Sequence, residues 1–291
     1  MALRPGQILG DRYRITRVLS SGGMGAVYVA EDTRLDYAVC AVKEMLEQHL
    51  GTGDEEVIFR RFEQEKAMLA RLRHPGIPRF LDFFLLEGLC YLVIEFVRGA
   101  NLEQELTDLL DLTGKPFPPE ELVRAILQVL EVLEYLHGQD PPVVHRDVKP
   151  ANVIREFRTG RIMLVDFGLA RPVQVGRAQT SVGTLRYTAI EQIQGRAEPR
   201  SDLYSLGASM HQLLSGQEPV PLGMAPLRSL QPDVDEELAA VVDRACSFAA
   251  EARFPDARSM RAALEAWLER PATPTRAPLH LKPAQPDASP P

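Results

Sequence analysis

His145-Arg146-Asp147-Val148-Lys149-Pro150-Ala151-Asn152, followed downstream by Asp166-Phe167-Gly168, sets two carboxylates, an ammonium and an amide at spacings suited to moving a phosphoryl group. That group carries negative charge and reacts through a loose transition state, so its catalyst mostly positions reactants and neutralises charge. Asp147 can accept the proton of an attacking hydroxyl, and Lys149 can balance charge on the transferred oxygens. Asn152 and Asp166 offer hard oxygen ligands, which suit magnesium held jointly with nucleotide phosphates.

Upstream, Leu19-Ser20-Ser21-Gly22-Gly23-Met24-Gly25-Ala26-Val27-Tyr28 is flanked by alternating apolar residues, Tyr13, Ile15 and Val18 before it and Val27 and Val29 within and after it. The pattern reads as a β-hairpin whose glycines let the backbone approach phosphates closely. Taken alone, it reads equally as an ordinary glycine-rich turn. Ala38-Val39-Cys40-Ala41-Val42-Lys43 reads as a strand. A helix is expected next, because Ile58, Phe62, Leu69 and Leu72 share one face. Glu65 falls on that face, and a carboxylate among inward apolar positions wants a partner, for which Lys43 is the candidate. The alternative is an exposed helix glutamate, the commoner fate of that residue.

Taken together and in this order, the motifs resemble those of the eukaryotic-like serine/threonine protein kinases, in the form carried by bacterial members. The resemblance covers roughly Tyr13 to Leu268. It implies an α+β bilobal fold: a small antiparallel-sheet N-lobe with one main helix, a larger helical C-lobe, and here a disordered C-terminal tail. In the family's G-x-G-x-x-G-x-V pattern Ser20 replaces the first glycine, while Gly22 and Gly25 keep the other two. By resemblance, residues Ser20, Ser21, Gly22, Gly23, Met24, Gly25 and Ala26 cradle the phosphates of ATP, and Lys43 grips them. Glu65 stands where the helix glutamate stands, nine residues before His74-Pro75-Gly76-Ile77. Ile94 would gate the back of the adenine pocket, and backbone groups of Glu95 and Val97 would bond the adenine edge. Leu19, Val27, Ala41 and Ile154 would form its roof and floor. Each of these apolar residues also reads as plain core, since the pocket is itself apolar. Asn152 and Asp166 would hold Mg2+, with Mn2+ as an alternative.

The resemblance extends downstream. Gly183-Thr184-Leu185-Arg186-Tyr187 matches G-T-x-x-Y, which implies that Thr184 bonds Asp147 and Lys149. Ala189-Ile190-Glu191 departs from A-P-E and loses proline's fixed φ, so local loosening is expected. Glu191 is expected to pair with Arg253, and Asp202 to bond the backbone of the catalytic loop. Arg146 stands where the family receives a phosphate from the activation segment, and Thr180 and Ser181 are either that phosphosite or plain loop hydroxyls. Asn101 and Ala151 fall where arginine-seeking members carry glutamates, so no strong demand for arginine in the substrate is expected; Asn101 remains free to bond the ribose.

Composition sets bounds on the rest. The chain has 291 residues, 45% of them hydrophobic, which suits a bilobal domain with two cores. A net charge of −7 and a pI of about 5.5 give no electrostatic support to a nucleic-acid or anionic-membrane role. Cys40, Cys90 and Cys246 form no paired motif and read as reduced residues of a cytoplasmic protein. Met1-Ala2-Leu3-Arg4-Pro5 opens no signal peptide, and no apolar run is long enough to span a bilayer.

The expected organisation is an extension at 1–12, an N-lobe at 13–97, a C-lobe at 98–270 and a proline-rich tail at 271–291. The tail reads as disordered, a linker or a proline-motif ligand. Helices are expected from Pro118-Pro119-Glu120 to just before Gly138 with Leu122, Ile126, Val129, Leu133 and Leu136 on one stripe, from about Ser201 to Leu214, from about Val234 to Phe248, and from Asp256 to Arg270. The four prolines in the stretch from Gly216 to Pro232, the last included, predict an abbreviated helix there. The whole reads as a cytoplasmic serine/threonine kinase acting on protein substrates. The alternative is a pseudokinase scaffold that binds nucleotide without efficient transfer, and a small-molecule kinase of the same fold is a third reading.

Overall fold

The structure is a computed structural model, and it describes residues 3–22, 25–45, 66–166, 185–221 and 223–270. Expectations for Gly23, Met24, Glu65, Phe167, Gly168, Thr180, Ser181, Gly183, Thr184 and the tail at 271–291 lie outside the described residues.

The first half is an antiparallel sheet in the order β1-β2-β3-β4-β6-β5. Its strands are β1 (Ile8–Leu9), β2 (Tyr13–Gly22), β3 (Gly25–Asp32), β4 (Ala38–Met45), β5 (Phe80–Leu86) and β6 (Leu89–Glu95). Side chains alternate across a strand, and both faces of this sheet are used. On the outer face, Tyr13, Ile15, Tyr28, Cys40, Val42, Tyr91 and Val93 pack into a core of their own beneath Leu3 and Leu9. On the inner face, Phe83, Cys90 and Leu92 join Leu69 and Leu72 in the core that continues through the helical half. Residues 66–71 are helical, in keeping with the periodicity around Leu69 and Leu72. Residues 3–12, set apart as an extension on sequence grounds, supply the edge strand β1, which pairs Ile8 with Arg14 and Leu9 with Tyr13.

A small sheet, β7 (Gly99–Asn101), β8 (Val153–Glu156) and β9 (Ile162–Leu164), joins the two halves. The helices that follow are α1 (Leu102–Thr113), α2 (Pro119–His137), α3 (Ile190–Ile193), α4 (Pro199–Ser215), α5 (Leu227–Leu230), α6 (Glu236–Ala245) and α7 (Ala257–Leu268). α2 starts with proline in its first turn and buries the whole expected stripe, Leu122, Ile126, Val129, Leu133 and Leu136. Each such side chain is worth roughly 1.5–3 kcal/mol on burial. α4 is buried along nearly its full length and stops at Gly216, which takes φ 71°, a left-handed cap that favours glycine. α5 is a single turn, as the prolines around it predicted. α6 begins later than expected because Asp235 leaves helical geometry and caps the chain, accepting from the Glu237 and Leu238 N–H groups, and it ends at Ala245.

α1 was not foreseen. Its signal was present in Asn101 and Gln104, which form a reciprocal capping box, and in Gly114 beyond its end.

Candidate active site

The candidate site lies where β4, the loop after α2, and the end of β9 meet. The loop at His145–Asn152 is held from one point. Asp202 of α4, fully buried, accepts the His145 N–H and the His137 ring at Oδ2, each at 2.8 Å, and the Arg146 N–H at Oδ1, also at 2.8 Å. Arg146 takes φ 66°, a left-handed conformation costly for a side chain of its size. The Asp202 bond and a second one, from Gln192 Nε2 to the Arg146 carbonyl at 2.8 Å, hold it there. The expected bond from Asp202 to this backbone is therefore present. His137 and Gln192 are additional supports that sequence reasoning missed, since neither sits in a motif.

Within the loop, Asp147 Oδ2 accepts from Lys149 Nζ at 3.1 Å and from Asn152 Nδ2 at 3.0 Å. Asn152 Nδ2 also donates to the Asp147 carbonyl at 2.8 Å. Both amide donations go inward, and Asn152 Oδ1 accepts no hydrogen bond among the described residues. The Asp147 N–H donates to His145 Nδ1 at 3.3 Å, so the histidine ring backs the carboxylate's own peptide. Burial holds the His145 imidazole below its ordinary range, which keeps it neutral and able to accept.

Asp166 follows β9 and also takes a left-handed φ, 62°. Its neighbour Val165 donates its N–H to the Asn152 carbonyl at 2.9 Å, which brings Asp166 beside the loop. The Leu164 N–H bonds the Gly76 carbonyl at 2.8 Å, and a Cβ at Gly76 would lie 2.6 Å from Val132, so only glycine allows this approach. Lys43 Nζ makes an ion pair with Asp166 Oδ1. Burial alone pushes the Asp166 carboxyl up, but Lys43, with a smaller contribution from Lys149, outweighs it and holds the group below its ordinary range. The Lys43 partner in the described residues is thus Asp166, while Glu65 lies outside them.

These placements bring Lys43, Asp147, Lys149, Asn152 and Asp166 together. An ionised carboxylate and a free amide oxygen fit a hard divalent cation, and a neighbouring lysine fits phosphate. Among the described residues no three acidic, histidine or cysteine side chains converge.

The glycine-rich hairpin forms as expected, with Ser20, Ser21 and Gly22 paired to Val27, Ala26 and Gly25. Leu19 is 43% exposed; Val27 and Ile154 are half-buried, and Ala41 is buried. In the strand that leads to the second half, the Glu95 N–H bonds the Arg79 carbonyl at 2.9 Å, whereas Val97 makes no backbone hydrogen bond among the described residues. Ile94 lines a small cavity of about 30 Å³ with Lys43, Leu69, Leu72, Leu92 and Asp166. The Asn101 side chain caps α1, accepting from the Gln104 N–H at 2.8 Å, so its oxygen is committed there.

Below the loop, Arg253 is fully buried and pairs with Glu191 through two bonds, Nη1 to Oε1 at 2.7 Å and Nη2 to Oε2 at 3.1 Å. Its remaining donors reach the carbonyls of Ser247, Arg200 and Phe248. Ser201 adds a bond to Glu191 at 2.6 Å. Burial raises the Glu191 carboxyl, but Arg253 and Ser201 more than reverse this and hold it below its ordinary range.

Comparison with known proteins bears on the fold and the family. Residues 13–253 match the family model described as protein kinase domain. The chain is 35% identical to serine/threonine-protein kinase PknA of Nostoc sp. over 277 residues, which are 89% of this chain and 48% of that protein. It is 32% identical to serine/threonine-protein kinase PknB of Mycobacterium leprae, covering 88% of this chain and 43% of that one. The chain thus spans less than half the length of these curated relatives. Among solved structures, the Mycobacterium tuberculosis PknI kinase domain superposes with a TM-score of 0.73 at 28% identity, covering 91% of this chain and 99% of that one. The fold, the ordered motifs and these likenesses together show that the chain belongs to the protein kinase family, on its eukaryotic-like serine/threonine side.

Proposed function

We propose that this chain is the catalytic unit of a serine/threonine protein kinase, with an N-lobe at 13–97 and a C-lobe at 98–270, that transfers the γ-phosphoryl group of ATP to protein hydroxyls. The observation that carries the reading is the meeting of Lys43, Asp147, Lys149, Asn152 and Asp166, which come from three separate stretches of sequence. Magnesium–ATP supplies the transferable phosphoryl group and a cation that offsets its charge. Asp147, steadied by Asn152, orients the acceptor alcohol and takes its proton. Lys149 offsets charge on the moving oxygens. Lys43 and the backbone of the hairpin from Ser20 to Ala26 orient the phosphates. Asp166 and Asn152 Oδ1 hold the cation, and the peptide groups of Glu95 and Val97 grip the base between Leu19, Val27, Ala41 and Ile154. Thr184 and Glu65 keep the roles that their motif positions imply.

Its own Thr180 or Ser181 is a proposed acceptor, with Arg146 receiving the phosphate. The Nε of Arg146 is buried without a hydrogen-bond partner among the described residues, which supports that role. Substrates are proposed to need no arginine before the acceptor, as Asn101 and Ala151 carry no acid. No helix among the described residues is long and apolar enough to cross a membrane, and a cytoplasmic place for this unit is part of the proposal.

Incubation with γ-labelled ATP, magnesium and a general protein acceptor tests the function. The expected products are phosphoserine and phosphothreonine without phosphotyrosine. No label on any protein would overturn the reading.

A further inference from the structure

β4 has two faces, and only one belongs to the candidate site. Ala41 and Lys43 share the cleft side, whereas Cys40, Val42 and Glu44 turn to the outer side, where all three are buried. A carboxylate in such a core is costly unless it is hydrogen-bonded. Tyr28 Oη donates to Glu44 Oε2 at 3.0 Å, and Tyr28 Oη itself accepts the backbone N–H of Leu3 at 3.1 Å. The incoming N–H leaves the phenol proton for the carboxylate, so the two bonds polarise each other.

The location of this chain of bonds gives it a consequence for the cleft. Val27 pairs with Lys43, Ala26 with Glu44 and Tyr28 with Val42. The Tyr28–Glu44 bond therefore crosses from β3 to β4 directly behind the Val27–Lys43 pair. It ties the strand that leaves the glycine-rich turn to the strand that carries the lysine. Leu3 itself is fixed through the segment that follows it. The Gly6 N–H reaches the Ile15 carbonyl at 2.8 Å, the Ile15 N–H reaches Gln7 at 2.8 Å, and Leu9 pairs with Tyr13. Leu3 and Leu9 are both buried over the outer core. All of this segment precedes residue 13, where the family match begins.

We propose that residues 3–9 form a strap that sets the position of Lys43 and the glycine-rich hairpin for the nucleotide, acting through the Leu3–Tyr28–Glu44 chain. Tyr28 and Glu44 are positioning residues: they face away from the cleft and act through the residues beside them. The inference rests on the kinase reading of that cleft.

The test is the affinity of the full chain for magnesium and a non-hydrolysable ATP analogue, measured by calorimetry. Tyr28→Phe removes the donor to Glu44 and the acceptor for Leu3, and is expected to weaken binding about threefold to tenfold. Leu3→Pro removes the N–H, while Leu3→Ala removes only side chain; the proline variant is expected to bind more weakly than the alanine variant. In the Tyr28→Phe background that difference is expected to vanish, as it must if the two residues act through one chain. The Michaelis constant for a peptide substrate is expected to stay unchanged. Equal affinity for Leu3→Pro and Leu3→Ala, or a Tyr28→Phe variant that melts earlier yet binds as the wild type does, overturns the strap alone. If Tyr28→Phe does not fold, the Leu3 pair decides, since it leaves the Tyr28–Glu44 bond in place. A wild type that binds no nucleotide overturns the kinase reading and the strap with it.

Discussion

Asp202 never touches the cleft, yet three donors from α2 and the loop converge on it. Replacing it with alanine strands two backbone N–H groups and the His137 ring in a fully buried place. The expected loss is about 2–5 kcal/mol of stability. Transfer is expected to fall as Arg146 leaves its left-handed conformation. Urea unfolding and a turnover assay check this, and unchanged turnover in a folded Asp202→Ala would contradict it. Legibility at this scale follows motif membership. Asp147, Lys149, Asn152 and Asp166 were readable because their spacing is itself chemical. Glu191 and Arg253 were readable as a pair through the family resemblance. His137 and Gln192 were not, because a histidine in a last helical turn and a glutamine on a short helix carry no mark until the loop folds against them. Tyr28 and Glu44 were hidden for a different reason: each is one step out of phase with a site residue, and only the sheet shows what lies behind it.

At the scale of elements, α3 shows how an ion pair replaces a core. This single turn has no buried residue of its own, so it owes its place to Glu191 and to the bond from Gln192. Arg253→Lys keeps the charge but loses the fork and most of its bonds. It is expected to cost about 3–5 kcal/mol, close to the loss of a buried pair. Differential scanning calorimetry is the check, and a melting temperature equal to the wild type would sink the account of α3. Elements with a long apolar stripe, α2 and α4 above all, were legible from period alone. α1 was not, since it buries only Leu102 and Leu106. β1 was not either, because two residues have no period and their register comes from β2.

For the molecule as a whole, titratable groups whose proton affinity differs between the folded and unfolded chain set the acid limit. His74, His145 and His211 are all held below the ordinary value of 6.5, in each case chiefly by burial. The unfolded chain therefore takes up protons at a higher pH than the folded one, and stability is lost as pH falls below about 6.5. Asp32, Asp166, Glu191 and Asp256 are held below their ordinary values, so a second loss follows below about pH 4.5. Melting temperatures are expected to be level near neutrality and to drop by about pH 5.5, and a flat profile across that range would contradict the burial of these rings. The two-lobed plan was legible from composition and motif order. The sharing of one core between the inner face of the sheet and the helical half was not, because it depends on which sheet face meets which helix. In the proposed function Asp147 faces the acceptor while Lys43 and Asp166 hold the nucleotide. Asp147→Asn keeps the shape of the side chain and removes its basicity. The account predicts that this variant binds magnesium–ATP as the wild type does and transfers phosphate about 10²–10⁴-fold more slowly; transfer at the wild-type rate would contradict it.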